Sequence, residues 1–430
     1  MNKTYKMLLM MAVLVAAVHL LAVPSQAIPA FSREYRINCS TCHQMNPPRL
    51  NSLGRNFQER GYQLPAGAER PAGTAKYSRE DEQLALLERL PLALRIKNAG
   101  LWRFQAKQDE TWVDLNTPME MQLLAGGALF EDTSFYVNFP ILTNGGVEAP
   151  ILAYVQFNDL LRPGWANLRI GKFNILGLQS PGHRSLTVTT PKAPAVKVGN
   201  NPVALDEHQL GFDLFGRPNN GLFAYEVALV TGAGPMEEAD DHAEAEAAHA
   251  HGGLLATDGN DFKDLYVRLS HSTRSRMHTV GVLGYFGKTF LGSPAGDGHA
   301  EEAEDAHAEA GEGVSDRFRI IGVDGEFSRG SWNLRSALYL GHHDDPFTTG
   351  ISVDYRSVLS QLSYAFNRRW LGMIQYDQII SSDQPSLERT LLLPNINFLL
   401  LDNLRLSAEV ELDLDDSDRN RAYFLIDLTM

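Results

Sequence analysis

The sequence predicts an all-β fold: a transmembrane antiparallel β-barrel of about sixteen strands over residues 92–430, preceded by a small, mostly helical or irregular segment at 28–64. Three observations carry this expectation. From Leu92 onward, segments of about ten residues alternate apolar and polar side chains, the period of a strand with one face in lipid and the other in water. The links between segments sort into short and long, as periplasmic turns and external loops do. Past residue 27 no apolar run is long enough to cross a bilayer as a helix, so a membrane crossing requires strands.

The segment near 403–414 has the pattern in full: Leu404, Leu406, Ala408, Val410, Leu412 and Leu414 share one face, and Arg405, Ser407, Glu409, Glu411 and Asp413 share the other. Phe223, Tyr225, Val227 and Leu229 likewise oppose Ala224, Glu226 and Ala228. Sixteen such segments fit, the second near 119–130, the fourth near 151–160 and the last at 420–430. The even count suits an antiparallel barrel. Tight links fall at Glu131-Asp132, 217–220, Arg329-Gly330, Asn367-Arg368 and Asp402; long ones fall at 107–118, 143–150, 174–207, 232–260, 289–315 and 342–353. A soluble sandwich also alternates, but its loops do not sort by parity, which favours the barrel. Ala422, Phe424, Ile426, Leu428 and Met430 alternate to the last residue, as in the terminal strand of outer-membrane barrels.

At the other end, Lys3 and Lys6 precede an apolar run over 7–23 and the small residues of Ser25-Gln26-Ala27, the layout of a secretory signal peptide at 1–27. The run is too short, and too soon followed by Pro24, for a membrane anchor. The only two cysteines stand in Cys39-Ser40-Thr41-Cys42-His43, the attachment pattern of a c-type haem. Each thiol bonds one vinyl group of the porphyrin and the next histidine faces the iron. Cys39 and Cys42 are thus the expected anchors of one haem c, and His43 is its expected metal ligand. A zinc site needs further thiols or a histidine pair, and a thioredoxin motif needs a surrounding βαβ pattern; neither is nearby.

Residues 28–64 therefore read as a monohaem cytochrome c segment. Pro47-Pro48 start a predicted helix with Leu50, Leu53 and Phe57 on one face and Gly61 at its end. With Phe31 and Tyr62, that face covers one side of the porphyrin, packs on the barrel, or does both. Chains below about 40 residues rarely fold alone, and sixteen strands leave room for a plug, so the segment belongs inside or at the mouth of the pore. Residues 65–91 form a linker containing a short predicted helix over 78–90.

Pro29-Ala30-Phe31-Ser32-Arg33, the Cys39–His43 motif, Leu50, Gly54-Arg55, Phe57 and Gly61-Tyr62, followed by a porin-length strand region, resemble the fused monohaem cytochrome–porin family of outer-membrane iron oxidases. The resemblance implies an electron conduit in the cell outer membrane. An extracellular donor, Fe(II) or another redox-active metal, would give one electron through haem c to a periplasmic electron carrier, in the manner of an Fe(II):cytochrome c type oxidoreductase. Outward transfer with the same parts, a metal-ion porin with a structural haem plug, and a soluble cytochrome on a β-sandwich are the competing readings.

The formal charge of −14, or −16 once Lys3 and Lys6 leave with the signal, argues against nucleic acid and favours cations. Seven of the thirteen histidines lie in long links: His242, His249, His251, His299, His307, His342 and His343, among Asp and Glu. Such loops are either solvated low-complexity runs or cation-concentrating patches. Met45 is too close to His43 to reach the far side of a porphyrin, so the sixth position falls to another side chain, to the barrel or to water; His183 and His208, flanking 174–207, are candidates.

Overall fold

The structure, a computed structural model, describes residues 30–35, 37–43, 49–64, 91–104, 112–130, 132–146, 150–176, 186–218, 221–232, 263–275, 277–291 and 314–430. The expected signal peptide, the linker helix over 78–90, Met45, Pro47-Pro48, His183 and the histidines at 242, 249, 251, 299 and 307 lie outside the described residues.

Sixteen strands follow one another along the chain. The first eight are β1 (Leu92–Arg103), β2 (Val113–Ala128), β3 (Thr133–Thr143), β4 (Leu152–Phe157), β5 (Asn167–Asn174), β6 (His208–Gly216), β7 (Phe223–Val230) and β8 (Asp264–Ser272). The second eight are β9 (His278–Phe290), β10 (Ser315–Arg329), β11 (Trp332–His343), β12 (Val353–Ala365), β13 (Trp370–Ile380), β14 (Arg389–Leu401), β15 (Leu404–Asp413) and β16 (Arg421–Thr429). Each pairs antiparallel with its sequence neighbours, and β1 pairs with β16 from Arg95↔Thr429 to Arg103↔Arg421, closing the barrel. Leu94 and Met430 exchange backbone hydrogen bonds of 2.7 and 2.8 Å at the seam, so the sheet has no free edge.

The side-chain alternation sorts lipid from lumen. Along β10, Asp316, Phe318, Ile320, Asp324 and Glu326 are buried inside, whereas Ile321, Val323 and Phe327 are half exposed outside. Along β15, Arg405, Ser407, Glu409, Glu411 and Asp413 all face inward. An apolar exterior, a polar interior and a closed ladder satisfy the backbone without water, the condition for strands in a bilayer. The connections at 129–132, 217–222, 273–277, 330–331, 366–369 and 402–403 gather at one end, here called the short-turn end, and the longer ones at the other. In outer-membrane barrels the short turns face the periplasm.

Two of the differences in strand boundaries from the sequence expectation have a visible backbone cause. β2 begins at Val113 rather than near 119, because a register shift opposite, between Lys97 and Ala99, carries the ladder past Pro118. β4 stops at Phe157, since Asp159 turns the chain with φ 56° and the link 158–166 becomes the longest at the short-turn end.

Among the described residues, three short helices precede the barrel: α1 (Ala30–Tyr35), α2 (Cys39–Cys42) and α3 (Ser52–Glu59). α3 starts at Ser52 because Asn51 caps it, its side chain accepting the Gly54 N–H at 2.9 Å. The helix expected from Pro47 is therefore shorter among the described residues. Gly61 (φ 63°) ends it as expected, and a Cβ there would overlap Ser134 of β3.

Candidate functional site

The residues around the Cys-x-x-Cys-His motif hold one another through backbone groups. α2 is a single turn, Cys42 is half-buried, and His43 bridges to Leu50. The His43 ring sets Nδ1 3.2 Å from the Arg49 carbonyl oxygen. A carbonyl only accepts, so Nδ1 carries the proton and the lone pair lies on Nε2, the tautomer of a metal-ligating histidine. Asn51 secures this arrangement: its Nδ2 donates to Thr41 O at 2.9 Å and His43 O at 3.4 Å, and its backbone N–H donates to Cys42 O at 2.9 Å. Gly54 lets α3 lie directly on the motif, since a Cβ would overlap the Cys42 carbonyl. Asn51 was not singled out by sequence reasoning; a polar cap before a helix was the available signal.

The aromatic face packs on the barrel. Tyr62 stacks on Tyr136 of β3 at 4.8 Å and on Phe31 at 4.7 Å, while Phe57 meets Phe31, Tyr35 and Tyr62 edge-on. Leu152 of β4 completes this cluster. Polar contacts ring it, all toward the short-turn end: Arg217 to Glu59 at 2.9 Å, Arg60 to Asp159 at 2.5 Å, and Gln63 Nε2 donating to the Phe130 and Thr133 carbonyls at 3.1 and 2.9 Å. Residues 49–64 are thus docked in the short-turn mouth of the barrel.

On the β10–β11 side, Arg55 Nη2 donates to Glu326 Oε2 at 2.8 Å, with Arg335 Nη2 3.5 Å from the same oxygen. Arg49 lies beside them. Burial first, then Arg335, pulls its guanidinium down to about 9, so it remains a cation at neutral pH.

The link 186–207, expected outside, folds into the lumen instead. Glu409 accepts the Val188 and Thr189 N–H groups at 2.9 and 3.0 Å, Asp377 accepts those of Lys192 and Ala193 at 3.1 and 3.2 Å, and Asn201 donates to Asp316 at 2.7 Å. Val203, Leu205 and Ala193 join Tyr266, Tyr285, Phe318 and Tyr339 in an apolar core within the barrel. A cavity of about 380 Å³ remains beside this loop, lined among others by Arg95, Lys97, Glu120, Arg405, Asp206 and His208.

His208 begins β6 at its long-loop end, and Gly216, next to Arg217, ends it at the other. A strand of this length spans about 30 Å, so the fold sets His208 far from the docked helices. His342 lies between Asp354 (2.6 Å) and Asp344 (3.1 Å), and His343 is buried against Asp316 at 2.6 Å. No group of three or more metal-ligating side chains forms among the described residues.

Protein-family models give no match to this chain, and neither do curated proteins. Solved structures do match. A loop L8 deletion mutant of OmpT, an outer membrane protein of Vibrio cholerae, is 10% identical with a TM-score of 0.52, over 80% of this chain and 99% of that one. An anion-selective porin from Comamonas acidovorans is 10% identical with a TM-score of 0.52, over 79% of this chain and 98% of that one. The likeness is one of fold. The chain is a sixteen-strand barrel of the outer-membrane porin type, and its place is the cell outer membrane.

Proposed function

We propose that this barrel is an outer-membrane cytochrome–porin that carries one haem c on Cys39, Cys42 and His43 and passes one electron from extracellular Fe(II) to a periplasmic carrier. Bound there, the haem supplies one-electron redox chemistry. The observation that carries the reading is the His43 ring, whose Nδ1 donates to the Arg49 carbonyl as that of a metal-ligating histidine does, in a segment docked at the short-turn mouth. The docked segment faces the periplasm, where a soluble carrier can reach it. The hydrocarbon layer is about 30 Å thick, so the donor approaches through the lumen from the long-loop end.

Oxidised protein in detergent, mixed anaerobically with Fe(II), tests this through the visible haem bands. Rapid, saturable reduction is expected, lost in His43→Ala with the barrel still assembled. Reduction by dithionite but not by Fe(II) would reject the iron oxidase and leave outward transfer or a plugged transport porin. That last reading requires cation flux through the haem-loaded barrel.

A further inference from the structure

Three guanidinium groups meet one carboxylate beside the docked helices. Arg335 lies directly opposite Glu326 in the β10–β11 register, Arg55 bonds Glu326 Oε2, and Arg49 lies in the field of all three. The other oxygen of Glu326 accepts from Asn333 Nδ2 at 2.8 Å. The carboxylate is fully engaged, and a surplus of two positive charges remains among the described residues. Neighbouring charges do not offset it: Arg217 has Glu59, Arg60 has Asp159, and Arg268 has Asp324.

The hydrogen-bond inventory points the same way. Arg49 Nε and Nη2 and Arg335 Nε are closed off from solvent and have no acceptor among the described residues. Buried guanidinium N–H groups are stable only against an acceptor, and a carboxylate is the acceptor whose geometry the planar fork matches. Arg49 also holds the His43 ring through its own carbonyl, so its side chain springs from the backbone unit that positions the expected iron ligand.

We propose that Arg49 and Arg335, with Arg55 and Glu326 setting their positions, form a cradle for the two propionate carboxylates of the haem. The inference rests on the proposed function. Two propionates would neutralise the surplus of two charges and supply acceptors for the three orphaned N–H groups. Glu326 acts as a positioning residue and keeps the three arginines from repelling one another apart.

The test uses the full exported protein, purified in detergent, as wild type and as Arg49→Gln, Arg335→Gln, Arg49→Lys and Glu326→Gln. Intact mass reports covalent haem, spectroelectrochemical titration reports the midpoint potential, and resonance Raman reports the propionate bending band. Losing a positive charge favours ferric haem, so Arg49→Gln and Arg335→Gln are expected to lower the potential and shift the propionate band. Arg49→Lys should restore most of both, and Glu326→Gln should move the potential the opposite way. Where Arg49→Gln fails to mature, Arg335→Gln and Glu326→Gln decide by the sign of their shifts. Covalent haem with unchanged potentials and an unmoved propionate band would overturn the cradle and leave the haem reading standing. A wild-type chain without haem mass would overturn both.

Discussion

Gly54 marks how tightly the motif is built. Any side chain there meets the Cys42 carbonyl, and overpacking of this kind costs about 1–3 kcal/mol, a large share of what holds so small a segment together. Gly54→Ala should therefore lower covalent haem content several-fold while the barrel keeps its heat-modifiable gel mobility. Normal haem content, read by intact mass, would show that α3 can shift at little cost. Cys39, Cys42 and His43 were singled out in the sequence as the proposed haem site because thioether chemistry fixes the spacing of such a motif. Asn51 and Arg49 were not. Asn51 works through the carbonyls of Thr41 and His43, and Arg49 through its own carbonyl, and any residue carries a carbonyl, so only the fold reveals which one is in reach.

At the scale of the element, the inward loop 186–207 is expected to respond to pH. Asp206 lies in it, its backbone N–H on Pro194 O at 3.3 Å. Burial first, then Glu207, pushes its carboxyl up from 3.8 to about 6. A carboxyl raised by folding stabilises the fold in its protonated form. That stabilisation is complete below pH 3.8 and is lost as pH rises through about 6, so the loop docks more tightly in acid. Amide exchange of 186–207, corrected for the intrinsic pH dependence, should be slower at acid than at neutral pH, and Asp206→Asn should remove most of that difference. Equal protection of the wild type at both pH values would refute the assignment. The strands around this loop were largely legible, because alternation and loop parity are local patterns. The loop's inward course was not: Glu409 and Asp377 hold it by backbone N–H groups, which have no sequence signature. The same limit explains β2, whose passage beyond Pro118 depends on a register shift in its neighbour.

For the whole molecule, the question is what occupies the lumen. The sequence called for a plug inside or at the mouth; the structure puts residues 49–64 at the short-turn mouth and 186–207 across the interior. The mouth is held by Arg217–Glu59 and Arg60–Asp159 and by the Tyr62–Tyr136 stack. Both ion pairs are mostly buried, between the exposed limit of about 0–1 kcal/mol and the roughly 3–5 kcal/mol lost when a buried charge loses its partner. The stack adds about 0.5–1.5 kcal/mol. The double substitution Arg60→Gln, Arg217→Gln removes the guanidinium partner of Asp159 on the barrel and of Glu59 on the segment, and the segment should then undock in a large fraction of molecules. Because the barrel closes through β1 and β16 without any help from residues 28–64, its strands should stay protease-resistant. The freed segment should be cut from the short-turn side, and single-channel conductance in planar bilayers should rise. A segment that is cut with conductance unchanged would mean that the loop 186–207, with its apolar core of Val203, Leu205, Tyr266 and Tyr339, closes the lumen by itself. The docked helices would then serve only to hold the Cys39–His43 site at the periplasmic face.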